Sequence, residues 1–400
     1  MPHSIVLYDN ADWRKHLFPF TASRPVGNLR VGLCTLNEKW NKLFHCPVSY
    51  HTAEYLQLSF PLHPSPAADI LILDARLLPS EMLLQALDSL KLGEVLMDGS
   101  RWLAARVDRY PDQLEKELRQ LKPIQLSFSP SCIHFPEDIF RYNKEQLLAD
   151  FKLLTKGRSS ASLSSSNALY GDWLFVEEGA QLEGVSLNSL KGPIYIGKNA
   201  QLEEGSFLKG YVGIGANARV KTGARLYENV SIGPGSTIAG EVNNTVMWGN
   251  SAKGHEGYLG CAVIGEGCNL GAGSSNSNLK NNWKAVMLYD YKEENLRDTG
   301  LLKCGLMMGD YAMAAINSSF TTGTVIGCAA QIAISNFIPK FVPDFCWLTD
   351  QQKEAYILEE FFGMLARRKQ AGAADNLHDM AIFNHIFAET KEIRDRIINT

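Results

Sequence analysis

Every sixth position from Ile196 carries an aliphatic side chain: Leu202, Leu208, Ile214, Val220, Leu226, Ile232 and Ile238 follow without a miss. Ile-Gly pairs recur within that run at 196–197, 214–215 and 232–233, eighteen residues apart. Six residues per side and eighteen per turn predict a triangular coil of short parallel strands. The aliphatic residues point inward, and small residues or glycine turn the corners. After Ile238 the phase slips by two and resumes at Val246, Ala252, Tyr258, Ile264 and Leu270, which predicts inward positions for these five. A second slip across 273–307 predicts a long loop, and Met308, Ala314, Phe320, Ile326 and Ile332 then restore the period. Hexapeptide repeats of this class build a left-handed parallel β-helix.

The flanks follow other periods. Ile5–Tyr8 and Ile70–Asp74 are short apolar runs that predict strands, the second ending in an acid. Pro79–Leu92 and Asn143–Leu154 have helical spacing, so residues 1–155 predict a layered α/β domain. Residues 156–170 begin with a Ser-rich polar stretch that predicts a linker. The β-helix is assigned to 171–345. Residues 346–400 predict two helices, Gln351–Lys369 and Leu377–Ile398, with Asp375 able to cap the second. Helices here would cover an open solenoid end.

Composition sharpens this picture at three points. Of 33 glycines in 400 residues, 21 lie between Gly171 and Gly273, as a cornered coil requires. The net charge of −4 argues against a nucleic-acid binder, and no run of 18 apolar residues predicts a membrane span. The eight cysteines are scattered with no Cys-x-x-Cys, which predicts buried reduced thiols in a cytoplasmic protein. The start, Met-Pro-His-Ser-Ile-Val-Leu-Tyr, has no basic region before its short apolar run and predicts a first strand rather than a signal peptide.

Candidate chemistry concentrates near one histidine. His255 is the only histidine between 135 and 377, too few for a zinc site within one chain. It is either a surface residue or a general base. Downstream, Asn269 stands at a coil edge, and Asn276, Asn278, Asn281 and Asn282 with Lys280 and Lys284 open the long loop. Lysine suits a phosphate and asparagine suits sugar hydroxyls.

These residues carry a resemblance. His255-x-x-Tyr258-Leu-Gly, then Asn269-Leu-Gly-Ala-Gly, then Asn278 and Lys284 are similar to the acetyltransferase half of a bifunctional family. That family comprises the N-acetylglucosamine-1-phosphate uridyltransferase/glucosamine-1-phosphate N-acetyltransferases. Asp9-Asn10, the run Leu17 to Gly32 with Arg24 and Arg30, Lys303-Cys-Gly and Gly309-Asp310 resemble a variant branch of sugar nucleotidyltransferases. The resemblance implies that His255 is the base. Tyr258, Asn278 and Lys284 would hold a sugar phosphate, and Asn269 or a backbone amide would stabilise an oxyanion. The family's earlier-coil arginine corresponds to Arg225 by distance from the histidine or to Tyr227 by coil phase. Its lysine falls on Asn243, and its tyrosine after the loop asparagine on Leu279.

The expected function is an acetyl-CoA-dependent amino-sugar-phosphate N-acetyltransferase fused to a sugar-1-phosphate nucleotidyltransferase-like domain. It would act in nucleotide-sugar synthesis for the cell envelope. The N-terminal domain lacks the usual glycine-rich triphosphate loop. Asp9, Asn10, Arg24, Arg30 and Asp74 are its nucleotide-binding candidates, with UTP or dTTP as the nucleotide and magnesium at Asp74 or Asp98. A homotrimer is expected, with no nucleic-acid or membrane partner. The rival expectation keeps the nucleotidyltransferase active and makes the β-helix an oligomerisation or regulatory element.

Overall fold

A computed structural model describes residues 2–64, 69–372 and 380–399. The chain forms two compact units. The first comprises Met1–Arg14, Arg24–Leu29 and Cys34–His134, and the second comprises Lys15–Ser23, Arg30–Leu33 and Phe135–Thr400.

In the first unit, β1 (Ser4–Tyr8), β2 (Val48–His51), β3 (Ile70–Asp74), β4 (Glu94–Asp98), β5 (Arg101–Val107) and β6 (Lys122–Gln125) form one sheet. Their order is β2-β1-β3-β5-β4-β6. β1 runs parallel to β2 and β3, and β5 runs antiparallel to β3 and β4. β3 is buried throughout and β1 nearly so, which is why both read as unbroken apolar runs. Around the sheet stand α1 (Ala11–Arg14), α2 (Leu36–Phe44), α3 (Glu81–Ser89) and α4 (Leu114–Leu118). Ser80 caps α3 by accepting the Leu83 N–H at 3.3 Å. Tyr8 pairs with Asp74, so the carboxyl ends of β1 and β3 place Asp9 and Asp74 on neighbouring strands.

The second unit is a three-faced parallel β-helix. Its faces carry nine strands, ten strands, and six strands followed by three. Ile196, Ile214 and Ile232 stack in register, and the sixth-position aliphatics fill the interior. Asn199, Asn217, Asn250 and Asn317 turn corners in the left-handed region, which asparagine tolerates. Burying such a column of Ile, Leu and Val contributes about 2 kcal/mol per side chain before chain entropy is counted.

After Ile238 the expected phase needs correction. Ile238 pairs with Lys253 and Val242 with Leu259, while Ala252 pairs with Thr237 and Tyr258 with Glu241 on the outward side. Met247, Lys253 and Leu259 therefore hold the inward line, one position beyond Val246, Ala252 and Tyr258. The cause is two shortened sides, Ile238 to Val242 and Val242 to Met247, of four and five residues. Ile264 and Leu270 are core residues as expected.

The compact units part at 134–135 rather than at 155. α5 (Pro136–Arg141) and α6 (Asn143–Thr155) count with the β-helix. Asn143 explains why: it accepts the Gly32 N–H at 2.8 Å and the Ser231 hydroxyl at 2.9 Å, and donates to the Asn229 carbonyl at 2.8 Å. The Ser-rich stretch is tied to the first coil, where the Val176 N–H donates to the Ser160 hydroxyl at 2.9 Å.

At the other end, Lys353–Ala355 is a strand antiparallel to Cys346–Thr349. The first tail helix, α7 (Leu358–Gln370), therefore starts later than Gln351. α8 (Met380–Glu389) and α9 (Lys391–Ile398) follow. Asp375 and Leu377 lie outside the described residues. Phe361 and Phe383 pack edge-on against Tyr311, at 6.0 and 5.6 Å, so the tail covers late-coil corners. All eight cysteines are free and buried.

Candidate active site

One face of the β-helix is broken, and the break organises the candidate site. The six-stranded ladder ends at Tyr258–Gly260, and a new three-stranded ladder starts at Ser275–Asn276. Side chains bridge the gap. The Tyr258 N–H donates to the Ser275 hydroxyl at 3.0 Å. Asn276 accepts the Gly260 N–H at 2.8 Å and donates to the Gly260 carbonyl at 2.9 Å and the Ser277 carbonyl at 3.2 Å. Asn276 stands six residues after Leu270, in an inward position, and is only 3% exposed. The chain leaves the solenoid here, forms an antiparallel hairpin of Met287–Asp290 with Asn295–Asp298, and returns where the Gly305 N–H donates to the Cys261 carbonyl at 2.8 Å.

Tyr258 points outward beside the break. Its ring lies across Gly260, where a Cβ would come within 2.2 Å of the phenol oxygen, so a side chain at 260 would displace the ring. Asn278 donates to that phenol oxygen at 2.9 Å, across twenty residues of sequence. Burial pushes the Tyr258 phenol pKa up. Arg225 is in the same column of the face, through Glu241, and pairs with Glu256 at 2.9 Å. His255 is exposed on the Gly254–Gly257 corner that joins this face to the next, and its ring makes no hydrogen bond among the described residues. Beneath it, the Lys253 ammonium donates to the His255 carbonyl at 2.8 Å.

The structure thus brings Tyr258 and Asn278 together and sets Arg225 against the His255 corner through Glu256. Asn269 is exposed on the ten-stranded face, aligned with Ala252 and Met313. Lys284 is exposed in the loop. Neither side chain touches His255, Tyr258 or Asn278 among the described residues. A shallow pocket of about 360 Å³ opens beside the loop, lined by Lys280, Asn281, Asn282, Thr321, Thr322 and Phe337 among others. Glu256, Lys253 and Ser275 were not legible as site residues, and Asn276 was legible only as part of the polar cluster that opens the loop. The available signal was a polar residue on the inward six-residue line: Asn276 stands there six after Leu270, and Lys253 does so once the phase after Ile238 is right.

In the first unit, Asp9 is buried. It accepts the Val26 N–H at 2.9 Å and the Thr52 hydroxyl at 3.0 Å and has Arg14 at 3.5 Å. Burial still pushes its carboxyl pKa up. Asn10 accepts the Asp12 N–H at 2.6 Å and so starts α1. Arg24 is buried and donates to Asn28 at 3.3 Å. Arg30 counts with the other unit, where it donates to the Leu33 carbonyl. Asp74 meets Arg76 with both oxygens, at 3.0 and 2.6 Å. Both Asp74 oxygens are taken, and no group of three or more His, Cys, Asp or Glu among the described residues could hold a metal ion.

Residues 5–159 match the family model described as sugar nucleotidyl transferase. The chain is also 33% identical over 104 residues to the bifunctional protein GlmU of Methanococcus aeolicus, which is 25% of each chain. It is 30% identical over 100 residues to GlmU of Methanocaldococcus jannaschii, covering 25% of this chain and 24% of that one. The chain is thus GlmU-like over about a quarter of its length and spans about a quarter of these relatives. Among solved structures, the polySia-specific acetyltransferase NeuO is 15% identical, with 48% of this chain and 86% of that one covered and a TM-score of 0.24. The Francisella novicida UDP-N-acetylglucosamine acyltransferase is 17% identical, with 52% and 72% covered and a TM-score of 0.26. These likenesses are too remote to bear on activity. No helix among the described residues is long and apolar enough to cross a membrane.

Proposed function

We propose that this protein is a cytoplasmic N-acetyltransferase that moves an acetyl group from acetyl-CoA to an amino-sugar phosphate such as glucosamine-1-phosphate. A sugar-1-phosphate nucleotidyltransferase domain would then use the product in nucleotide-sugar synthesis for the cell envelope. The observation that carries the reading is the Tyr258–Asn278 bond on an outward face beside the exposed His255 corner. It joins two of the residues the resemblance implicates, from opposite sides of the ladder break. Eight reduced, buried cysteines suit a cytoplasmic protein.

In the reaction the sugar amine attacks the thioester carbonyl carbon. A C–N bond forms, the C–S bond breaks, and coenzyme A leaves as its thiolate. His255 takes the amine proton and returns it to the thiolate. Tyr258, Asn278 and Arg225 hold the sugar phosphate, a positioning role that lowers the barrier by fixing the attack geometry. Asn269 or a backbone N–H donates to the developing oxyanion. Asn269 and Lys284 touch none of the other site residues within one chain, and we assign them to a site completed by a neighbouring copy in a homotrimer.

A second reading has its own support. The family match covers only the N-terminal stretch, so the nucleotidyltransferase activity could stand alone on an oligomerising β-helix. One coupled assay separates the two. The full chain receives acetyl-CoA and glucosamine-1-phosphate, then UTP or dTTP with magnesium, and released thiol and pyrophosphate are followed. His255→Ala is expected to slow acetyl transfer by about 10²- to 10⁴-fold with acetyl-CoA binding and melting temperature unchanged. Full transfer by His255→Ala, or none by the wild type with any amino-sugar phosphate, overturns the first reading. Pyrophosphate release without acetyl transfer favours the second.

A further inference from the structure

The interior of the β-helix is filled by aliphatic side chains at every inward step around Lys253. Ile238 lies beside it in the preceding coil, Met247 comes before it along the chain, and Leu259 follows it. Lys253 is 1% exposed in that column. A lysine there forfeits solvation that a methionine or leucine would never need, so its presence is not explained by core stability. Among the described residues no carboxylate comes within ion-pair distance of its ammonium. Glu256, the nearest acid to influence it, is bonded to Arg225. Its hydrogen bond goes to the carbonyl of His255 at 2.8 Å.

That carbonyl belongs to a corner with little else to fix it. Residues 254–257 lie between strands, with glycine at both ends, and Gly257 has φ +128°. The Glu256 carbonyl accepts from Gly273 and the Gly257 carbonyl from Glu241, each at 3.1 Å. Among the described residues the bond from Lys253 is the only one made by the His255 backbone. Gly240 leaves the ammonium its space, since a Cβ there would come 3.1 Å from Lys253 Nζ and 2.5 Å from the Gly257 carbonyl. Burial without a charge partner lowers the ammonium pKa to about 8, so it is charged, and a strong donor, near neutral pH.

We propose that Lys253 is a positioning residue, whose buried ammonium pins the His255 carbonyl and thereby fixes where the imidazole stands beside the Tyr258–Asn278 face. This rests on reading His255 as the base. Displacing a catalytic group by about 1 Å costs on the order of 10²-fold in rate. A linear, apolar methionine keeps the volume and removes the donor, so Lys253→Met tests position without opening a cavity.

The test compares wild type, Lys253→Met and His255→Ala as full chains, by steady-state acetyl transfer, thermal melting and backbone hydrogen exchange. Lys253→Met is expected to lower kcat by about 10- to 100-fold, to leave both KM values within about twofold, and to melt at or above the wild-type temperature. Exchange at the Glu241 and Gly273 N–H groups, which donate to the carbonyls of the 254–257 corner, is expected to speed up about tenfold, the loss of one hydrogen bond of about 1.4 kcal/mol. A residue that served only the core would not separate kcat from melting in this way. If His255→Ala abolishes transfer but Lys253→Met keeps a kcat within twofold of wild type, the positioning role is overturned and the base assignment stands. If the wild type transfers nothing, the reaction reading fails by itself. Exchange then judges Lys253: unchanged rates at the Glu241 and Gly273 N–H groups overturn the pin, and faster rates support it.

Discussion

Asn276→Leu probes the ladder break most directly. Leucine shares the branched four-atom shape of asparagine, is somewhat bulkier, and suits an inward position, so the change removes hydrogen bonds without leaving a hole. Three bonds disappear: from the Gly260 N–H at 2.8 Å and to the Gly260 and Ser277 carbonyls at 2.9 and 3.2 Å. Gly260 is buried, so its N–H and carbonyl lose their bonds to Asn276 without water to replace them. Each orphaned group costs about 1–3 kcal/mol, and the added apolar burial returns about 1–2 kcal/mol. The net local loss is about 2–3 kcal/mol. Opening of strand 258–260 then becomes about 30- to 150-fold more frequent, which hydrogen exchange of this segment in the intact protein reads directly. Tyr258 rides on the same strand, so its contact with Asn278 loosens and KM for the sugar phosphate rises. Exchange at 258–260 within about threefold of wild type would refute the claim that side chains hold this break closed.

Two further outcomes follow from the same geometry. Tyr258→Phe deletes the acceptor of the Asn278 bond and should raise KM for the sugar phosphate about tenfold, with kcat within about threefold; an unchanged KM removes Tyr258 from the binding set. Burial moves the Lys253 ammonium pKa from its ordinary 10.5 to about 8, so between those pH values the unfolded chain binds more protons than the folded one. Stability contributed by this group therefore rises with pH from about 8 to 10.5, and the rise should vanish in Lys253→Met. Denaturation midpoints that change in parallel for the two proteins across that window would contradict the assignment.

The six-residue aliphatic step was enough by itself to determine the β-helix, because a side chain turned inward at every step is kept from water and is apolar at nearly all of them. Regular coils such as 196–238 could be placed residue by residue. The step failed after Ile238, where two short sides moved the inward line from Ala252 and Tyr258 to Lys253 and Leu259. Backbone pairing, not composition, sets that register, and a shift of one position turns a side chain from core to surface. His255, Tyr258 and Asn278 were legible through the resemblance. That Tyr258 and Asn278 meet depends on a loop leaving the solenoid at Ser277, after Asn276 has stitched the broken ladder. The division at 134–135 was likewise closed to the sequence. α6 has an ordinary helical pattern, and its ties to the β-helix unit are contacts distant in sequence: the bonds of Asn143 with Gly32, Asn229 and Ser231, the Leu33 N–H on Asp150, and Lys144 over the Tyr211 ring. Periodicity reports which side chains avoid water. Polar bonds between residues far apart in the chain leave no period, and they decided both the site and the boundary.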